Sequence, residues 1–107
     1  MRFEAEPLNL TVARAFVGTT LRTVDQSQSL IEDLRLAVSE LLTVLVTGDH
    51  GPIDLELRID GGVFTAIIGG PAALPAIPEE TREIVGRLTD DGVRVDEADW
   101  VIRAALL

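Results

Sequence analysis

The 107-residue chain contains no cysteine, no lysine and a single histidine. Without cysteine there is no disulfide framework, no thiolate metal site and no sulfur nucleophile. With His50 alone, a multi-histidine metal centre is excluded and one imidazole remains as a candidate base. No apolar run approaches the ~18 residues that a membrane-spanning helix needs. The opening Met1-Arg2-Phe3-Glu4 lacks the apolar centre of a signal peptide, so a cytoplasmic protein is expected.

Acid is abundant instead. Eighteen Asp and Glu stand against nine arginines, for a formal net charge of −9. That field repels phosphates, so direct nucleic-acid binding is not expected. It can steer a basic protein partner, and it also serves the plainer purpose of keeping a small protein soluble. The length fits one domain, residues 1–107, with one core.

The polar–apolar alternation of Arg2–Glu6 predicts a short edge strand ended by Pro7. Leu10, Ala13, Val17, Leu21 and Val24 recur at helical spacing, with Asn9 as N-cap. Ser29-Leu30-Ile31-Glu32 has capping-box spacing and opens a second helix. Leu34, Val38, Leu41 and Leu45 stripe that helix, Leu42 and Val46 widen the stripe, and Gly48 ends it. It should be the most buried element.

Ile53, Leu55, Leu57 and Ile59 alternate with charged residues, as in a sheet with one wet face. Asp60-Gly61-Gly62 supplies a tight hairpin turn, and Val63–Ile68 returns as a central strand. Residues 69–78 carry three prolines and read as a loop. Pro78-Glu79-Glu80 starts a third helix, with acids at the positive end of its dipole. Val93–Glu97 and Trp100–Leu107 read as strands, with Trp100, Ile102, Ala104 and Leu106 on one face. The order β-α-α-β-β-α-β-β predicts an α+β fold, a two-layer sandwich with a mixed, mostly antiparallel sheet and helices on one face.

Glu40 is a carboxylate in the middle of the most apolar helix, opposite its main stripe. If that side lines a cavity, Glu40 is a candidate general base with a raised pKa. If it faces solvent, Glu40 is simply part of the wetter side.

Asp33-Leu34-Arg35-Leu36-Ala37-Val38-Ser39-Glu40-Leu41-Leu42-Thr43 resembles the N-box helix of the histidine kinase-like (GHKL) ATPase superfamily, in its anti-sigma-factor serine kinase branch. Leu10–Val17 is similar to that family's first helix, and the hairpin 53–68 matches the strands expected next. The resemblance implies a Bergerat-like fold. Its catalytic glutamate falls on Glu40. The asparagine that holds magnesium falls on Val44, which has no oxygen to offer. The aspartate that accepts the adenine amino group falls on Ile68, and of that motif glycine alone remains, Gly70. The phosphate-wrapping lid is replaced by the proline-bearing loop and Glu79-Glu80, whose charges oppose a triphosphate.

The resemblance, with these departures, implies a degenerate member with no cofactor, no metal and a vestigial Glu40: an anti-sigma-factor-like interaction module in partner switching. The alternative is an active serine/threonine kinase using ATP with Mg. The resemblance further implies a sigma factor, a STAS-type anti-anti-sigma protein or a second copy as partner, with Phe3 and Phe16 as self-interface candidates. The remaining features read as structural. Gly61-Gly62 and Gly69-Gly70 lack P-loop spacing, His50 lies in a solvated turn, Asp90-Asp91 ends a helix, and Trp100 packs in the core.

Overall fold

The computed structural model describes residues 1–106, so Leu107, the end of the last expected strand, lies outside it. Strand β1 (Arg2–Phe3) leads into helices α1 (Pro7–Leu21) and α2 (Gln28–Thr47). The hairpin β2 (Ile53–Asp60) and β3 (Val63–Gly69) comes next, then α3 (Glu79–Leu88) and the hairpin β4 (Arg94–Asp96) and β5 (Asp99–Ala105). The fold is α+β, with the helices packed against the sheet in the expected element order.

The sheet runs β1-β2-β3-β5-β4, and all four pairings are antiparallel. The expected parallel pair is therefore absent among the described residues, for a topological reason. The α3 crossover carries the chain one strand position beyond β3, and β5 then folds back into the gap as a hairpin. β3 thus becomes the central strand.

Alternation assigns the two faces. Ile53 and Leu55 of β2, Phe64, Ala66 and Ile68 of β3, and Trp100, Ile102 and Ala104 of β5 are buried towards the helices. They meet Ile31, Leu34, Val38, Leu41, Leu42 and Leu45 of α2, the helix whose stripe is widest. Each such aliphatic side chain contributes about 1.5–3 kcal/mol on burial. On the far face, Glu56, Arg58, Arg94 and Arg103 are exposed or nearly so.

The ends of elements differ from the sequence expectation. α1 starts at Pro7, where a missing N–H costs nothing, rather than after an Asn9 cap. Asn9 instead donates its side-chain N–H to the Glu4 carbonyl at 2.9 Å. The α2 cap is Ser27, whose hydroxyl oxygen accepts from the Leu30 amide at 3.2 Å. The Ser29/Glu32 capping box does not form, because the helix has already begun at Gln28. Glu32 accepts from the Gln28 side chain at 2.7 Å and pairs with Arg35 at 3.3 Å. Gly61 (φ 58°) and Gly62 (φ 75°) make the β2–β3 turn as expected.

Candidate functional site

The candidate site lies around Glu40, in the second half of α2. α1 is docked beside this region through Arg14, whose Nε donates to the Ser39 hydroxyl at 2.8 Å. Ser39 is one of the two buried polar residues of the core, and its carbonyl accepts from the Thr43 hydroxyl at 2.7 Å. The buried Gly18 marks where α1 comes close to the Arg35 side chain: a Cβ there would lie 3.5 Å from Arg35 Cδ. Sequence reasoning misses the Arg14–Ser39 contact. An arginine on one helix and a serine on another give no local signal of being paired.

Glu40 itself is half-buried and makes no hydrogen bond or ion pair among the described residues. Val44, one turn on, is partly buried and packs against the core. Ile68 is wholly buried and sits in register between Leu55 and Trp100. Both positions carry hydrocarbon side chains, Val44 partly buried one turn from Glu40 and Ile68 fully enclosed.

Gly70 has a packing reason of its own. A Cβ there would stand 2.6 Å from the Pro52 carbonyl oxygen, so the glycine permits the β3 exit to cross the start of β2. Its neighbour Gly69 likewise lies directly beneath the Asp99 carboxylate. Glu79 and Glu80 occupy the first turn of α3, as expected. Their charges complement the positive end of that helix dipole and disfavour an anion there.

The recesses described on this surface lie away from Glu40. A shallow one of about 490 Å³ opens on the far sheet face, bounded by Arg2, Asp54, Glu56, Ile67 and Asp99 among others. There Arg2 grips Asp54 through two hydrogen bonds of 2.6 and 2.9 Å. The hydrogen bond and the guanidinium charge hold the Asp54 carboxyl below the ordinary aspartate range. A more apolar hollow of about 610 Å³ lies between residues 73–77 and the β4–β5 hairpin, and includes Val95 and Trp100. No group of three His, Cys, Asp or Glu able to hold a metal occurs among the described residues.

Neither a protein-family model nor a curated protein matches the chain. No helix among the described residues is long and apolar enough to cross a membrane.

The single histidine is less solvated than expected. The His50 amide donates to the Leu45 carbonyl at 3.0 Å, which folds the turn back against α2. Its Nε2 is buried without a hydrogen-bond partner. Trp100 packs in the core, 2 % exposed, as expected. Phe3 and Phe16 are both partly buried against the core. More of the apolar surface around them belongs to neighbouring residues of α1: Leu8 is 78 % and Val12 51 % exposed. With Thr11, Ala15 and Thr19, which are also exposed, they form an uncharged stripe along that helix.

Proposed function

We propose that this protein is an anti-sigma-factor-like interaction module, a degenerate relative of the histidine kinase-like ATPases that has lost nucleotide binding. It would act in the cytoplasm, in partner-switching control of transcription. The observation that carries this reading is the state of position 68. The side chain that would have to accept the adenine amino group is a buried isoleucine, flanked by Leu55 and Trp100. An unpaired donor on a buried ligand costs about 1–3 kcal/mol.

Val44 adds to this. A magnesium ion requires oxygen ligands in near-octahedral array, and the residue one turn after Glu40 offers none. The residues present do not fit a magnesium–nucleotide complex. Glu40 then serves as a surface carboxylate on α2.

With nucleotide chemistry set aside, the surface is what remains to act. The uncharged stripe of Leu8, Val12 and Ala15 is suited to receive an apolar face of a partner. The net charge of −9 favours a basic one, as a sigma-factor surface would be. A STAS-type antagonist or a second copy could compete for the same helix.

Calorimetry with magnesium and ATP, paired with a thermal-shift scan at millimolar nucleotide, is the test. No heat and no shift are expected, because even a weak site would stabilise the fold by mass action. Binding that is lost in Glu40→Ala would replace this reading with the kinase alternative. Affinity capture from the native cell should then yield a sigma or STAS protein with the wild type and not with Val12→Glu.

A further inference from the structure

The sheet has two edges, and they are finished differently. At one edge, β1 carries Arg2, which is already neutralised by Asp54 on the adjacent strand. At the other, β4 consists of Arg94, Val95 and Asp96, all three exposed, with Val95 at 58 %. Neither Arg94 nor Asp96 has a hydrogen bond or ion pair through its side chain among the described residues. On the side away from β5, the backbone donors and acceptors of β4 have no strand partner among the described residues.

The register makes Asp96 worse than unpaired. Asp96 stands directly across from Asp99 on β5, so two carboxylates share one rung on the far face of the sheet. Like charges in that relation destabilise. Arg94 stands across from Val101, which offers its guanidinium nothing.

The sequence cation–apolar–anion is self-complementary when read against itself in the opposite direction. We propose that β4 is a pairing edge for a second copy of this chain, the two strands running antiparallel about a two-fold axis at Val95. Arg94 then faces the partner's Asp96, Asp96 faces the partner's Arg94, and the exposed valines meet. Because paired residues share a face, each incoming arginine lands beside the Asp96/Asp99 rung and supplies the cation it lacks. The two five-stranded sheets become one continuous sheet. Next to Val95, Leu74, Pro75 and Ala76 line the apolar hollow and give the partner hairpin a surface to rest on.

A three-residue strand alone buries less than a stable interface needs, so the association is weak, in the high-micromolar to millimolar range. This edge is separate from the α1 stripe, and pairing here does not require the proposed function to hold.

Sedimentation equilibrium of the full chain across that concentration range tests it. The wild type is expected to dimerise. Arg94→Asp alone, or Asp96→Arg alone, should weaken self-association about tenfold or more, since each places like charges across both rungs. The double exchange Arg94→Asp/Asp96→Arg should restore it, and an equimolar mixture of the two single variants should form a heterodimer. Far-UV circular dichroism checks folding, and if one single variant fails to fold the other carries the same test. A wild type that stays monomeric throughout overturns the proposal. So does a dimer indifferent to both charge reversals, or one abolished by Leu8→Glu on α1 instead.

Discussion

The two faces of the sheet are built from alternate residues of the same strands and have opposite characters. Ile68 and Ile67 are chain neighbours of identical composition. The first is wholly buried between Leu55 and Trp100, and the second is half-buried between Glu56 and Val101 on the far face. The helix-side face is locked by packing, and its side chains are almost wholly hydrocarbon. The far face is held by backbone pairing and carries charges that water can reach. Under the proposed function the difference matters, because position 68, which the resemblance aligns with purine recognition, falls on the locked side.

The largest effect is expected from placing a carboxylate at position 68. Ile68→Asp should cost about 3–5 kcal/mol or unfold the chain, because a buried charge would have no partner. Ile67→Asp should cost about 1–2 kcal/mol, since that side chain can reach solvent. Urea unfolding of the two variants measures the contrast. Equal losses, or nucleotide binding gained by Ile68→Asp, would break it.

A smaller effect belongs to the β4–β5 turn. Glu97 holds a φ of 58°, a left-handed conformation that costs a side-chain-bearing residue free energy. Glu97→Gly should raise stability by about 0.5–1 kcal/mol, read as a higher urea midpoint with an unchanged slope.

The smallest expected effect is electrostatic and lies at the other edge. The Asp54 carboxyl titrates below its ordinary value because Arg2 favours the charged form. Its contribution is therefore present above the unfolded-state pKa and is lost as the pH falls through the lower folded-state value. The stability gap between wild type and Asp54→Asn should be constant near neutrality and close in acid. Both side chains are largely in solvent, so added salt should shrink the gap as well. A gap that widens in acid would reverse the assignment.

Much of this architecture is legible from periodicity. Alternation along 53–60, the Asp60-Gly61-Gly62 turn and the wide stripe of α2 each specify their element locally. Three features are not local, and residue patterns do not reach them. Ser27 and Ser29 are both adequate caps, and which one serves depends on where the preceding turn delivers the chain. The position of β5 between β3 and β4 depends on how far α3 carries the chain, which no residue pattern encodes. Glu97 takes a positive φ without the glycine that usually announces one.

The site is legible to a lesser degree. The hydrocarbon character of positions 44 and 68 is plain in the sequence, but the burial of Ile68 between Leu55 and Trp100 is a tertiary fact. Under the family resemblance, Gly70 reads as the remnant of a binding motif. In the fold it also makes room for the Pro52 carbonyl, a sufficient structural reason for a glycine there.

Trp100 lies across from Val95, sealed on one side by the core and on the other by the outermost strand. The chain has no other tryptophan and no tyrosine, so emission excited beyond the phenylalanine absorption band arises at this one indole. Peeling β4 away would wet the ring and move that emission to the red. The protein thus carries an optical reporter of its own outer strand.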